Sequence, residues 1–321
     1  MAAKIKSIYY YFRFIKNRFI SFFTCLITTL ILINASATEQ RLTSSLIWMG
    51  CGVSLKAYMS EVAKAFSEKT GIPIRMAGGG ATKGIRLAAT SVADIGGTCR
   101  HKLTNSKGKV IDKEKQATLF PVAWDALVII INKNNPVKSI SEQQLKNIFS
   151  GKIKNWNELG GKNLPIHVVV RAGKSSGVGL MFRLMVFKDP NYEFPSSVLI
   201  RKSTGPIERY VMKTINAIAI DGISSARKQD LKYLSLNNIE PTKENIMSGA
   251  YEFYRPLYIS IHNTPSAYAR EFVNYILSKE GQSIISKAGT INLEEGRKLE
   301  HLWLNKCYRM LDQEHSECTY F

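Results

Sequence analysis

Short apolar runs alternate with segments of helical periodicity along most of this chain. The apolar run Leu46–Met49 is followed by a segment whose apolar residues recur every three or four positions, which is helical spacing. Ser54 suits the N-cap of this helix, and Gly71 suits its C-terminal stop. The pattern therefore predicts a strand, a helix that begins at Ser54 and ends at Gly71, and a second strand at Ile72–Met76.

The same alternation continues towards the C-terminus. The run Ala126–Ile131 is aliphatic, as in a strand buried on both faces, and Ser141 with Gln144 fits a capping box that opens a helix. Further strands are predicted at 93–98, 166–170, 198–200 and 217–220, and further helices at 81–89, 176–185 and 265–287. This order predicts an α/β fold with a mostly parallel sheet flanked by helices.

The first 37 residues have the pattern of a secretory signal peptide. Met1–Arg18 carries five Lys or Arg and no acidic residue, Phe19–Ile33 is apolar, and Ala35-Ser36-Ala37 fits a cleavage site. The alternative is an uncleaved membrane anchor, but the apolar run is short for a spanning helix. We therefore expect cleavage after Ala37 and export to a bacterial periplasm.

The chain is strongly basic, with 44 Lys or Arg, 25 Asp or Glu and a formal net charge of +19. A basic surface favours an anionic partner, which could be nucleic acid, membrane headgroups or a small anion. Nucleic acid is disfavoured because the protein is expected to be exported and has no basic block interleaved with aromatic residues. A small anion is therefore the favoured partner.

Four cysteines lie beyond the leader: Cys51, Cys99, Cys307 and Cys318. An even number in an oxidising compartment allows disulfides, one joining Cys307 to Cys318 in a polar tail and one joining Cys51 to Cys99 after neighbouring strands. Free thiols are the alternative, as is direct contact of Cys99 with a ligand. Metal binding is disfavoured because neither pair has C-x-x-C spacing and the five histidines are scattered.

Three turns rich in glycine or hydroxyl residues each lie between a predicted strand and a predicted helix. They are GCGVS at 50–54, GGGATKG at 78–84 and RAGKSSGVG at 171–179. Backbone N–H groups at helix starts, together with one arginine, form an oxyanion site. A surface salt bridge is the alternative for Arg171, but its position at a strand end before a glycine-serine turn favours ligand binding.

At the level of longer motifs, the chain resembles the phosphate-binding protein family of bacterial ABC importers. The resemblance rests on IFSGKIKNWNELGG at 148–161, ADIG at 93–96 and SKEGQ at 278–282, and covers about 44–295. It implies the type II periplasmic binding protein fold, with two lobes of mostly parallel sheet flanked by helices. Two crossing strands, near 121–125 and 221–224, would join lobe one (44–122 plus 223–300) to lobe two (123–222), leaving 301–321 as a C-terminal tail.

The resemblance also implies which residues hold the ligand in the cleft between the lobes. Matching the family turn by turn gives Gly52, Val53, Ser54, Gly80, Ala81, Thr82, Cys99, Arg100, Arg171, Ser176 and Gly177. The guanidinium of Arg171 would bind two oxygens of a tetrahedral anion, and Ser176 with the adjacent N–H groups would bind the others.

The chain departs from the family at the acidic residues. Cys99 stands where the family has the acid that accepts a proton from phosphate, and Gly173 replaces a second acid after the arginine. Asp94, Asp125 and Asp221 are candidates to replace the missing acids. Of these, Asp94 is expected to be a structural residue of its strand, and the other two lie near the expected crossings. Phosphate is the family's ligand, while sulfate, a phosphate ester or another oxyanion stays open.

These features predict a monomeric periplasmic solute-binding protein that delivers an oxyanion to an ABC permease, without a cofactor. The alternatives are an oxyanion sensor or interaction protein without a transporter, and a hydrolase of small phosphate esters. Catalysis is disfavoured because the sequence has no nucleophile elbow and no H-E-x-x-H motif.

Overall fold

The computed structural model describes residues 45–311 of the 321. The expected signal peptide at 1–37, its cleavage site and Cys318 lie outside the described residues. Within residues 45–311, no helix is long and apolar enough to cross a membrane.

Ten strands form one hydrogen-bonded array in the described chain. They are β1 (Leu46–Gly50), β2 (Ile74–Gly78), β3 (Ile95–Thr98), β4 (Ala117–Ile131), β5 (Ser139–Ile140), β6 (His167–Arg171), β7 (Leu199–Arg201), β8 (Ala217–Gly222), β9 (Lys232–Leu236) and β10 (Tyr254–His262). Their order is β2-β1-β3-β10-β4-β8-β6-β7, and β9 pairs with β4 and β5. All the sequence-predicted strands are present, and β4 begins at Ala117 rather than Ala126.

The long strand β4 belongs to two half-sheets. Its first part, Ala117–Ala126, pairs antiparallel with β10, and its last part, Leu127–Ile131, pairs antiparallel with β8. On the other edge, residues 129–131 pair with β9. The order is therefore β2-β1-β3-β10-β4 in one half, the first lobe, and β7-β6-β8-β4-β9 in the other, the second lobe. β4 begins early because the segment before Ala126 is bonded to β10 instead of forming a loop.

Helices cover the two lobes. They are α1 (Gly52–Ser54, continued by a π-helical stretch Leu55–Met59 and by Ser60–Thr70), α2 (Ala81–Ala89), α3 (Asp112–Lys115), α4 (Glu142–Phe149), α5 (Gly177–Phe182, continued by a π-helical stretch Arg183–Phe187), α6 (Thr204–Lys213), α7 (Ile223–Ala226), α8 (Lys243–Ser248), α9 (Ala267–Leu277), α10 (Lys279–Lys287) and α11 (Arg297–Leu311).

Most of the helix boundaries follow the predicted caps. Gly71 ends α1 with a φ of 73°, in the left-handed region, and Ser141 with Gln144 forms the capping box of α4. Two expectations were wrong. α1 begins at Gly52, because Cys51 rather than Ser54 is its N-cap. The predicted helix at 265–287 is two helices, because extended backbone at Ser278 ends α9 and its side chain caps α10.

The chain after β8 does not return directly to the first lobe. The expected crossing at 221–224 is occupied by the end of β8 and the start of α7, and β9 then adds to the second lobe beside β4. The chain returns to the first lobe through β10, which starts beside Ala126 and ends beside Ala117. Assigning all of 223–300 to the first lobe was therefore wrong, because β9 pairs with residues 129–131 of β4, which lie in the second lobe.

The segment expected as a loose tail from residue 301 is helical as far as Leu311. Leu299, Trp303, Cys307 and Met310 recur at helical spacing and are buried. α11 packs against α8 and against the π-helical stretch of α5. Cys307 is disulfide-bonded, and its expected partner Cys318 lies outside the described residues.

Candidate functional site

The three turns meet where the two lobes face each other. The first lobe contributes the starts of α1 and α2, and the second lobe contributes the starts of α5 and α6. A methyl group on Gly177 would lie 2.4 Å from Cys99 Sγ and 3.0 Å from Ala81 Cβ, and one on Gly52 would lie 3.9 Å from Thr204 Cβ. The cleft therefore closes around several helix N-termini, whose N–H groups attract anions.

Arg171 ends β6 and reaches from the second lobe towards the first. Its Nη2 lies 3.7 Å from the point where a Cβ on Gly80 would stand. Its Nε and Nη1, which we call the inner nitrogens, are buried and have no hydrogen-bond partner within residues 45–311. Burial lowers the pKa of Arg171, and the neighbouring Cys99 and Cys51 oppose that shift. Because arginine stays charged in proteins, the inner nitrogens are strong donors available to an anion.

Ser176 and Ser54 lie at the starts of α5 and α1. The hydroxyl oxygen of Ser176 accepts a hydrogen bond from the Gly179 amide at 3.2 Å, as its predicted capping role requires. Its own O–H remains able to donate to a ligand. Ser54 is fully buried, with its hydroxyl 3.1 Å from Cys51 Sγ. Val53, also buried, lies against Gly222 of the second lobe.

Arg100 was expected to bind the ligand, and the structure corrects this. Its two terminal nitrogens donate to the carboxylate of Glu114 at 2.9 and 2.8 Å. The remaining N–H groups donate to the carbonyls of Ser175 and His101 and to the Thr82 hydroxyl. Arginine has five N–H donors, and these five contacts use all of them. Arg100 therefore holds the fold and the cleft together.

The Thr82 hydroxyl, also an expected ligand group, is engaged in the same network. It donates to the Ser175 carbonyl at 2.6 Å and accepts from Arg100 Nη2 at 3.1 Å. Thr82 and Arg100 belong to the first lobe, and Ser175 precedes α5 of the second lobe. We call these three residues the interlobe latch, because their hydrogen bonds join the two lobes beside Arg171.

The expected disulfide between Cys51 and Cys99 is absent from the structure, where both are buried free thiols. Cys51 Sγ accepts instead from the Ser54 amide at 3.4 Å and caps α1. A hydrogen bond from Cys99 lowers the pKa of Cys51, and the same bond, with burial, raises the pKa of Cys99. The two thiols therefore lie in contact on the first-lobe side of the cleft.

The three candidate acids have different surroundings. Asp94 accepts from the Ile47 amide at 2.8 Å and is structural. Asp125 is buried and holds Arg255 at 2.9 Å, and it also accepts from the Ser224 amide at 3.0 Å. Asp221 is buried, and its Oδ2 has no hydrogen-bond partner in the described chain.

A second contact between the lobes escaped sequence analysis. Lys56 Nζ on α1 lies 2.5 Å from Oε2 of Glu208 on α6, and Glu208 Oε1 accepts from the Ser225 hydroxyl at 2.7 Å. Glu208 is 152 residues from Lys56, and no local pattern signals such a pairing. Ser175 and Glu114 were missed for the same reason. Among residues 45–311, no group of three His, Cys, Asp or Glu could hold a metal ion.

Comparison with known proteins adds the family. A model of the PBP superfamily domain matches residues 36–280, which is most of the chain. The chain belongs to the PBP superfamily. The phosphate-binding protein PstS of Bacillus subtilis (strain 168) is 26% identical over 258 residues, which are 79% of this chain and 82% of that protein.

Solved structures of similar proteins share this fold. A protein from Clostridium perfringens, assigned as a phosphate ABC transporter substrate-binding protein and holding bound phosphate, superposes with a TM-score of 0.66 at 29% identity. The alignment covers 78% of this chain and 99% of that one. An ABC-type phosphate transport receptor from Vibrio cholerae superposes with a TM-score of 0.59 at 25% identity. That alignment covers 78% of this chain and 100% of the receptor. The fold is therefore the type II periplasmic binding protein fold, as expected.

Proposed function

We propose that this PBP superfamily member is a periplasmic substrate-binding protein that captures a tetrahedral oxyanion, with phosphate as its ligand, for an ABC importer. The observation that carries the proposal is Arg171, whose inner nitrogens are buried between the lobes and have no acceptor within residues 45–311. Leaving charged donors buried and unpaired costs about 1–3 kcal/mol or more. An anion bound between the lobes removes that cost.

Three features support a tetrahedral oxyanion. The starts of α2 and α5 lie beside Arg171 and present N–H groups from both lobes. The Ser176 hydroxyl can add another donor. The similar protein from Bacillus subtilis is a phosphate-binding protein, and the similar structure from Clostridium perfringens holds bound phosphate. The ligand groups we assign are Arg171, Ser176 and the N–H groups at the starts of α1, α2 and α5.

The non-enzymatic role is also a proposal. The two serines at the cleft serve helix starts: Ser176 caps α5, and Ser54 lies in the first turn of α1. Neither has a histidine as a hydrogen-bond partner in the described part of the chain. Binding and release by lobe movement therefore explains these residues better than ester hydrolysis does.

The test is titration calorimetry of residues 38–321 against phosphate, sulfate, arsenate and a phosphomonoester. We expect tight binding of at least one tetrahedral oxyanion and no turnover of the ester. Arg171→Ala should lower the affinity at least about 100-fold, since a charged, buried donor is removed. Arg201→Ala is the matched control, because Arg201 is the register partner of Arg171 on β7 and stacks on Tyr210.

Two results would contradict the proposal. If the wild-type protein binds none of the anions, the oxyanion function is wrong. If Arg171→Ala binds as tightly as wild type while its melting temperature is unchanged, the site assignment is wrong.

A further inference from the structure

A cavity away from the cleft lies beside the C-terminal helix α11. It is bounded by Lys306 of α11, by Lys188 at the end of the π-helical stretch of α5, and by Tyr254 at the start of β10. We call it the α11 cavity. Its volume is about 440 Å³, which is in the range of small-molecule sites. Because α5 starts at the cleft with Gly177 and reaches the cavity only after Phe187, about 15 Å of helix separates the two.

Three basic side chains and one acidic side chain line the α11 cavity. Lys306 and Arg309 belong to α11, Lys188 follows the π-helical stretch, and Glu252 lies in the turn between α8 and β10. Arg309 and Lys188 each use one N–H group on a backbone carbonyl of the preceding helical turn. Their remaining N–H groups can donate to a ligand. The lining is therefore positive overall, which favours an anion.

Lys306 is the charged group that most needs a partner. Its side chain is half-buried, and its Nζ lies 4.4 Å from the centre of the Tyr254 ring. Glu252 lines the same cavity, but no ion pair joins it to Lys306 in residues 45–311. A ring face compensates an ammonium group less well than a carboxylate does.

The electrostatics of Lys306 reflect this position. Burial lowers the pKa of Lys306 to about 7. The charges of Glu252 and Glu142 oppose the shift, and those of Lys188 and Arg309 add to it. An anion held beside Nζ would restore the charged form, because an opposite charge at short range stabilises it.

The remaining walls of the α11 cavity are apolar. They include the Tyr254 ring, Leu302 and the buried Met310. A hydrocarbon ring or short chain can pack on these walls while a charged end reaches Lys306. An inorganic oxyanion would leave them uncovered.

We propose that the α11 cavity binds a small organic carboxylate with an apolar body, and that Lys306 is the charged partner of the carboxylate. This site is independent of the oxyanion site at Arg171. The two can therefore be tested separately.

The first experiment compares ligands on the wild-type protein, residues 38–321, by calorimetry at a pH of about 7. The probes are benzoate and hexanoate, each beside the uncharged amide of the same shape, benzamide or hexanamide. We expect at least one carboxylate to bind at least about tenfold more tightly than its amide, because the amide has no charge to offer Lys306. If neither carboxylate binds, or if the amides bind as tightly, the inference is wrong.

The second experiment removes the charge. Lys306→Met keeps the length and apolar character of the stem and should weaken binding of the carboxylate at least about tenfold. Lys298→Met, at an exposed position of the same helix, is the matched control and should bind as wild type does. An unchanged affinity in a folded Lys306→Met protein would overturn the inference, and if that variant does not fold the ligand comparison decides.

A third measurement separates a charged contact from a merely structural role. At a pH of about 8, Lys306 of the free protein is mostly neutral, since its pKa is about 7. A bound carboxylate favours the ammonium form, so binding should take up close to one proton from the buffer. Titrations in buffers of different ionisation enthalpy measure this uptake. Binding of a carboxylate without proton uptake at this pH would show that Lys306 is not its partner.

Discussion

At the residue scale, the buried charges of this protein are of two kinds. Arg100 with Glu114 and Arg255 with Asp125 form fully buried ion pairs, with side chains at 0% exposure. Arg171, in contrast, is buried without a direct partner for its inner nitrogens in the described chain. The first kind holds the lobes in shape, and the second kind is the one to which we assign the ligand in our proposal. Sequence analysis did not make this distinction, since it counted Arg100 among the ligand-binding residues.

The structural kind can be tested at Glu114. Replacing Glu114 by Gln removes the charge that compensates Arg100 and weakens the contact with Arg86. Removing one partner of a buried ion pair typically costs about 3–5 kcal/mol. We expect the free energy of unfolding, measured in urea at pH about 7, to fall by about 3 kcal/mol. Glu68→Gln, at an exposed pair with Lys64, should change it by less than about 0.5 kcal/mol.

The same substitution should also change the pH dependence of stability. Burial would raise the pKa of Glu114, but the hydrogen bonds and charge of Arg100 outweigh it and lower the pKa below 4.5. The folded state therefore binds this proton less tightly than the unfolded state, so the stabilisation is present above pH 4.5 and is lost as the pH falls towards the folded pKa. Wild type should lose stability more steeply than Glu114→Gln in that window. If the stabilities of wild type and Glu114→Gln change with pH in the same way, the lowered pKa of Glu114 does not stabilise the fold.

At the scale of elements, the interlobe latch joins the start of α2 to the turn before α5. Replacing Thr82 by Val keeps the shape of the side chain but removes the donor to the Ser175 carbonyl and the acceptor for Arg100. Because the bond to the Ser175 carbonyl joins the two lobes, its loss should favour the open form. We expect phosphate affinity to fall about 5- to 30-fold, measured by calorimetry.

A matched control for the latch lies at the other end of the same helix. The exposed Thr90 hydroxyl donates back to the Arg86 carbonyl at 3.1 Å, within its own helix. Thr90→Val should therefore bind phosphate as wild type does. If Thr82→Val also binds as wild type, the latch does not contribute to closure.

How far the sequence predicts these elements depends on the distance over which each contact acts. Helix and strand positions follow from local periodicity, and the capping box at Ser141 was predicted correctly. The position of β9 in the second lobe was not predicted, because it depends on pairing with β4. Likewise, the roles of Thr82 and Arg100 depend on Ser175, 93 and 75 residues away. Turn motifs locate the site, but only the folded chain distinguishes donors that face a ligand from donors already used.

At the scale of the whole molecule, closure buries the two thiols at the seam between the lobes. Cys51 is 6% and Cys99 1% exposed, and the start of α5 at Gly177 lies directly against Cys99 Sγ. Separation of the lobes would move α5 away and expose Cys99 together with its neighbour. If the lobes separate, the reactivity of the two thiols should therefore report the movement without any added label.

This gives a test of ligand-driven closure. The hydrogen bond from Cys99 lowers the pKa of Cys51, so Cys51 should react readily with a disulfide reagent at neutral pH once the cleft opens. We expect saturating phosphate to slow modification of the mature protein at least about tenfold, since it shifts the population towards the closed form. Phosphate should give the Arg171→Ala variant no such protection. Cys51→Ser should remove the rapid reaction with the reagent, which we assign to Cys51. Equal rates with and without phosphate in the wild-type protein, despite measured binding, would mean that the lobes do not close on the anion.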